Sequence, residues 1–184
     1  MSFVDDINEH IGICQKMLME NTSIDEIAMI MYNKLITGNK LIFCGNGGSA
    51  ADCQHIAAEF TGRFLMERKP LNAISLTTDT SALTAIANDY GYDEVFSRQL
   101  NGVGAKGDLL IGISTSGNSS NIIRAFETAK VMGIETLCLT GQEKNQLFDI
   151  SDYKIAVPSQ ITARVQEVHI MILHSICKQI DDKF

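Results

Sequence analysis

Leu109-Leu110-Ile111-Gly112-Ile113-Ser114-Thr115-Ser116-Gly117-Asn118-Ser119-Ser120-Asn121-Ile122-Ile123-Arg124 is the stretch from which the fold is read. Leu109, Leu110, Ile111 and Ile113 form a short apolar run, the pattern of a buried strand. From Ser114 to Ser120 every residue is small, and all but Gly117 carry a polar side chain. Apolar residues return at Ile122, Ile123, Ala125 and Phe126 with helical spacing. A strand that passes through a hydroxyl-rich turn into a helix presents free backbone N–H groups beside several O–H donors. The helix dipole there favours an anion. An ordinary capped turn accounts for one or two of these hydroxyls, since Ser and Asn are common caps. Five in seven positions, with Gly117 allowing close approach of the backbone, point to phosphate.

Outward from this stretch, strands and helices alternate from residue 40 onward. Lys40 to Cys44, Asn72 to Leu76, Glu135 to Thr140 and Lys154 to Val157 read as further strands. Helices are expected after the first strand, from Asp79 or Thr80 through Ala87, from Glu94 to Leu100, from the hydroxyl turn to Met132, and from Ile161 to Ile180. Residues 141–152 read as loop. The alternation predicts an α/β protein with a parallel sheet of about five strands and helices on both faces, a three-layer α-β-α sandwich. Two amphipathic helices precede it within residues 1–37. Phe3, Ile7, Ile11, Cys14 and Leu18 mark the first. After a break and cap at Asn21-Thr22-Ser23, Ile24, Ile27, Ala28, Met31 and Leu35 mark the second. They either shield one face of the sheet or supply a subunit interface. His10 lies on the polar side and reads as a solvated surface residue.

A second Gly-rich turn, Gly45-Asn46-Gly47-Gly48-Ser49, follows the first strand. It lacks the spacing of a dinucleotide fingerprint and the Lys of a P-loop, which disfavours both. Its glycines admit a ligand near the backbone, Asn46 and Ser49 offer polar contacts, and Ser49 is the expected helix cap. On the next helix His55 and Glu59 share a face, with Arg63 one turn further. They follow a ligand-cradling turn, which places them near the carboxyl edge of the sheet. Asn88 to Asp93 reads as a polar turn of the kind that carries function. On the last helix Gln166 and His174 are eight apart and so nearly on one face, with His169 on a different one.

Composition sets the outer bounds. One domain of 184 residues is long enough for a sizeable core, and 20% charged residues with two prolines describe a folded chain rather than a disordered one. A formal charge of −7 argues against a non-specific nucleic-acid surface. No run is long enough to span a membrane, and the N-terminus does not read as a secretory signal. Five scattered cysteines without a C-x-x-C pair, three of them in apolar runs (Cys44, Cys138 and Cys177), fit reduced thiols in the cytoplasm.

Taken together, C-G-N-G-G-S at 44–49, H-x-x-x-E-x-x-G-R at 55–63, A-N-D-Y-G at 87–91, G-I-S-T-S-G-N-S at 112–119 and R-V-Q-E-V-H at 164–169 with His174 resemble the sugar isomerase (SIS) domain family. Within that family the likeness is to the bacterial phosphoheptose isomerases, over essentially the whole chain. The resemblance implies a single SIS domain over residues 1–184, with 1–37 serving oligomerisation, and a cytoplasmic homotetramer. It implies conversion of sedoheptulose 7-phosphate to D-glycero-D-manno-heptose 7-phosphate, feeding lipopolysaccharide or another surface carbohydrate. By resemblance the phosphate sits on Ser114, Thr115, Ser116 and Ser119. Asn46, Gly47, Gly48, Asn88 and Asp89 hold the sugar, with Glu59, Arg63 and Gln166 also in contact. One Zn²⁺ per subunit would be bound by His55, Glu59, Gln166 and His174.

Isomerisation through an enediol needs a base at carbon and an acid–base group at the oxygens. Glu59 is the candidate base and His174 the candidate for the oxygens. A carboxylate bound to zinc is a poorer base, so Glu59 either alternates between roles or the ion is mainly organisational. Ala163 departs from the family pattern, because some isomerases carry a carboxylate just before the matching Arg. The competing class is a non-catalytic SIS tetramer that binds the DnaA replication initiator. That relative lacks the Glu and His that this chain has at 59 and 174. A phosphosugar-sensing regulator is disfavoured, since no helix-turn-helix segment or basic extension is present.

Overall fold

Five parallel strands form one sheet in the order β2-β1-β3-β4-β5: β1 (Leu41–Gly45), β2 (Ala73–Ser75), β3 (Leu109–Ser114), β4 (Glu135–Thr140) and β5 (Tyr153–Ala156). The computed structural model describes residues 2–19, 24–142 and 144–184, so the break and cap at Asn21-Thr22-Ser23 lies outside the described residues. β1 and β3 pair in register from Leu41 opposite Leu109 to Gly45 opposite Ile113. Both strands are buried along their full length. That is why their sequences read as unbroken apolar runs rather than as alternation.

Helices cover both faces. α2 (Ile24–Ile36), α3 (Gly48–Thr61) and α8 (Thr162–Asp181) close one face around Met31, Phe43, Phe60, Ile111 and Leu173. α5 (Val95–Val103) and α6 (Ser120–Met132) close the other around Ile42, Phe96, Leu110 and Phe126, with α4 (Thr80–Tyr90) at its rim and Leu147 of α7 (Gln146–Ile150) packed into it. The expected three-layer architecture is therefore present. Gly112, mid-strand in β3, leaves room for Phe126 and Ile122, whose side chains occupy the space a Cβ would take.

The two N-terminal helices divide the roles that the sequence left open. α2 buries Ile27, Ala28, Met31 and Leu35 and shields the sheet. α1 (Phe3–Met19) packs on α8 through Ile13, with Cys14 and Met17 partly covered, and turns Phe3, Ile7, Ile11 and Leu18 outward. His10 is half-buried rather than freely solvated: its Nδ1 lies 3.0 Å from Glu167 Oε2 on α8.

Other local expectations are corrected. Asp79 caps α4 by accepting from Ala82 N, and the helix runs past Ala87 to Tyr90. Asn88 and Asp89 are thus on its last turn rather than in a loop, and Gly91 (φ 92°) leads into a short 3-10 turn at Tyr92–Glu94. Ser49 does not cap α3, whose N-cap is Gly47 (φ 56°) without a side-chain bond. α3 ends at Thr61, so Arg63 lies beyond it and pairs with Glu67 at 3.6 Å. Residues 141–152 are not all loop, because Asn145 caps the five-residue α7.

His169 is fully buried on α8, with Nε2 3.0 Å from the carbonyl of Thr140 at the end of β4. The ring therefore donates to that carbonyl. Burial pushes its pKa down to about 4, against the smaller upward pull of this hydrogen bond. Unfolded histidine binds a proton near pH 6.5, so between pH 6.5 and about 4 the unfolded chain carries the extra proton. Stability from this site is complete above pH 6.5 and falls with decreasing pH, by about 3 kcal/mol across that window. Urea unfolding at pH 7 and pH 4 should show a smaller acid loss for His169→Gln than for wild type. Equal losses would assign the acid sensitivity to other groups.

Candidate functional site

In the order β2-β1-β3-β4-β5 the chain reverses its winding between β1 and β3, and open α/β sheets bind ligands in the crevice at such a point. The two Gly/Ser-rich turns leave the carboxyl ends of those two strands. They are joined side chain to side chain: Asn46 Nδ2 donates to Asn121 Oδ1 and Asn121 Nδ2 donates to Asn46 Oδ1, both at 2.8 Å. Tyr92 OH donates to Asn46 Oδ1 at 3.2 Å. Asn46 is thereby fixed with both lone-pair directions of its oxygen used and one N–H to spare. Asn121 did not stand out in the sequence, and Tyr92 did so only as part of the Asn88–Asp93 stretch. Asn121 closes the run of small polar residues, and Tyr92 follows the Asn-Asp pair closely.

In the hydroxyl turn Ser114 is buried at the end of β3. Its Oγ accepts from Gly117 N at 3.1 Å and lies 3.2 Å from Ser119 Oγ. Gly117 has φ 64°, a left-handed conformation that L side chains rarely adopt. Ser119 is the N-cap residue of α6 but makes no side-chain cap, and Gly47 makes none for α3. Two uncapped helix starts with hydroxyl donors around one of them form an environment for an anion. Thr115 is half-buried and Ser116 exposed, with Ser116 Oγ accepting from Asn118 N at 3.2 Å. Asn88 donates to Asp89 at 2.9 Å on an exposed turn of α4.

A second group of residues lies along α3 and α8. His55 Nε2 is 3.1 Å from Glu59 Oε1, and His174 Nε2 is 3.4 Å from His55 Nε2. One ligand atom from each of the three lies within 4.8 Å of the others. Phe64 stacks on the His174 ring at 5.6 Å. A tetrahedral ion with bonds of about 2.0–2.1 Å sets its ligand atoms about 3.3–3.4 Å apart, close to both spacings. Two imidazoles and a carboxylate also suit zinc by donor chemistry.

Asp52, one turn before His55, adds a fourth polar group that the sequence reading missed. Burial pushes its carboxyl up, while a hydrogen bond from Gln166 and the nearby His55 and His174 pull it down. Its Oδ2 is buried without a hydrogen-bond partner. An orphaned carboxylate oxygen beside this cluster fits a cation there. The signal was present in the sequence as a third polar residue on the His55–Glu59 face, at i−3 and i−7.

Gln166 is placed against Gly48, where its amide fills the space a side chain would take, and against Asp52. It therefore sits between the two groups. His55 is seven residues beyond Gly48, about 10 Å along the helix at 1.5 Å per residue. The His–Glu pair thus lies two turns below the carboxyl edge of the sheet rather than at it.

The chain is similar to known proteins over most of its length. The SIS domain family matches residues 3–141. The phosphoheptose isomerase of Akkermansia muciniphila is 52% identical over 158 residues, covering 86% of this chain and 84% of that protein. A probable phosphoheptose isomerase of Thermoplasma acidophilum is 51% identical over 167 residues, covering 89% and 92%. The structure of the phosphoheptose isomerase of Neisseria gonorrhoeae superposes with a TM-score of 0.91 at 42% identity, over 97% of this chain and 96% of that one. That of Francisella tularensis superposes with a TM-score of 0.88 at 35% identity, over 99% and 100%.

Proposed function

The chain belongs to the SIS domain family, and on that premise we propose that it is a phosphoheptose isomerase. It interconverts sedoheptulose 7-phosphate and D-glycero-D-manno-heptose 7-phosphate, supplying heptose for surface carbohydrate. The observation that carries this reading is the meeting of His55 and Glu59 on α3 with His174 on α8. A binding module has no need of a carboxylate and two imidazoles gathered between two helices.

In the forward direction a proton leaves C1 of the open-chain ketose and is returned to C2, while the O1 hydroxyl gives up its proton and O2 gains one. The Glu59 carboxylate takes and returns the carbon-bound proton, and His174 serves the oxygens. The hydroxyls and N–H groups of Ser114–Ser119 hold the phosphate. Asn46, Gly47, Gly48, Asn88 and Asp89 face the sugar, and Arg63 offers an exposed cation. His55, Glu59 and His174, with Gln166 as fourth, would hold zinc. When bound, the ion supplies Lewis-acid polarisation of an oxygen.

Turnover of sedoheptulose 7-phosphate by metal-stripped protein, with and without added zinc, tests the reading. Heptose 7-phosphate formed only with zinc supports both the reaction and the site. Equal rates without metal would keep the isomerase and remove the ion from it. No turnover from folded protein in either condition would replace the enzyme with a non-catalytic binding protein.

The active form is a homotetramer in which α1 is an interface helix. The support is its outward stripe, with Phe3 78% and Leu18 85% exposed in the single chain. Beside it an apolar cavity of about 560 Å³ opens between α1, α2 and α8. Ile7→Glu should shift the species seen by light scattering below the tetramer. An unchanged mass would place the interface elsewhere. No described helix is long and apolar enough to cross a membrane. The setting we infer is the cytoplasm, where Cys44, Cys53 and Cys177 remain free thiols whose burial pushes their pKa values up.

A further inference from the structure

The hydroxyl turn owes its chemistry to a neighbour that plays no part in the scheme above. An anion-binding loop must show donors to its ligand and hide its acceptors, because a carbonyl oxygen aimed at a phosphate repels it. Here the carbonyls of Ser114, Thr115, Ser116, Gly117 and Ser119 all accept hydrogen bonds from within the protein. Two of them are held from outside the turn. Gly141 N donates to the Thr115 carbonyl at 3.1 Å, and Leu147 N to the Gly117 carbonyl at 2.9 Å. Gln146 N donates to the Asn118 side-chain oxygen at 3.2 Å. Gly141 follows β4 directly, and Gln146 and Leu147 are the first two residues of α7.

Asn145 lies in the segment between them. Its Oδ1 accepts from Phe148 N at 2.9 Å and its Nδ2 donates to the Gln142 carbonyl at 2.6 Å, which ties both ends of the segment together. The side chain is buried, 8% exposed, and its amide occupies the space a Cβ on Gly117 would need. Gly117 thus has a second reason to be glycine besides its positive φ. Whatever moves Asn145 frees both the turn's carbonyls and the void beside Gly117.

We propose that Asn145 is a positioning residue for phosphate recognition, acting through Gly141, Gln146 and Leu147 to hold the acceptors of the Ser114–Ser119 turn away from the ligand. This rests on the reading that the turn binds phosphate. The residue reaches neither the reacting carbons nor the His55–Glu59–His174 cluster in this scheme, so its loss falls on binding rather than on chemistry.

The test compares full-length wild type, Asn145→Ala and Asn145→Ser. It measures KM and kcat for sedoheptulose 7-phosphate, the inhibition constant of inorganic phosphate, and the melting temperature. Asn145→Ala should raise KM and the phosphate inhibition constant in parallel, by about tenfold, the size of a lost hydrogen bond at the upper end of its ordinary range, with kcat within twofold. Serine is a good N-cap and should keep α7 closed and the melting temperature near that of wild type. It is too short to fill the space beside Gly117 or to hold Gln142, so it should show the same loss of phosphate affinity. Restoration of affinity by serine would reduce Asn145 to a helix cap and overturn the proposal. So would unchanged constants in both variants, or a fall in kcat alone. Wild-type turnover without inhibition by phosphate would overturn the reading beneath it, and the proposal with it.

Discussion

Glu59→Gln is expected to lower turnover of the phosphosugar by about 10²–10⁴-fold, the contribution typical of a positioned base, in a protein that melts at the wild-type temperature. Glutamine matches glutamate in size and can still hydrogen-bond His55 Nε2, now 3.1 Å from the carboxylate, so this contact along α3 is retained. What it cannot do is take a proton from carbon. The variant also separates the two roles open to Glu59. Loss of turnover with zinc still bound in stoichiometric amount makes Glu59 the base. Loss of both, with turnover recovered at high zinc, makes it chiefly a ligand. Near-normal rates with wild-type metal content would remove it from both roles and move the base to another group, of which Asp52 is the nearest carboxylate on the same helix.

The second large effect lies at the far ends of the same two helices. Arg68 and Asp181 form an ion pair at 2.6 Å with side chains only 4% and 1% exposed. Arg68 also donates to the last carbonyls of α3, Glu59 O at 2.8 Å and Phe60 O at 2.9 Å. Asp181, at the end of α8, accepts from the backbone of Leu65 at 2.7 Å and Met66 at 3.0 Å. Burial alone would raise its pKa. The hydrogen bonds from Met66, Arg68 and Leu65 outweigh that and hold it below the usual range.

Removing one partner of a buried pair leaves the other charge uncompensated, and Asp181→Ala should cost about 3–5 kcal/mol in urea unfolding. Because the pair fastens α3 to α8 beyond the His55–His174 contact, zinc affinity should fall as well. Arg68→Met combined with Asp181→Leu should recover part of the stability, since an apolar pair leaves no stranded charge. A loss under about 1 kcal/mol in Asp181→Ala would mean that water reaches Arg68 and screens it.

The sheet and most helices were legible because their causes are local. Buried parallel strands read as apolar runs, and Gly133, in the left-handed region at φ 68°, ends α6 where the sequence places the stop. The hydroxyl turn and the His–Glu spacing were legible for the same reason. What was not legible depended on contacts distant in sequence. α7 is too short for periodicity to reveal and exists because Leu147 is buried and Asn145 caps it. Asn88 and Asp89 became helical because Gly91, not the polar composition before it, sets the end of α4. Asp52, Asn121 and Tyr92 acquire their roles from Gln166 and Asn46, on other elements, so one-dimensional spacing carries little of that information. His10 reads as solvated in sequence because Glu167, its partner, is 157 residues away.

The sheet separates two hydrophobic clusters, and the halves of the site are divided between them. α3 and α8, with His55, Glu59 and His174, rest on one cluster; α6, which follows the hydroxyl turn, rests on the other. Side-chain replacements within one layer can therefore be absorbed by its own repacking before they are transmitted through the strands. On the proposed reading, a core substitution under α6 should alter phosphate inhibition more than zinc content, and one under α3 and α8 the reverse. The parallel sheet is then a partition between the two proposed roles, bridged at its carboxyl edge by the Asn46–Asn121 pair.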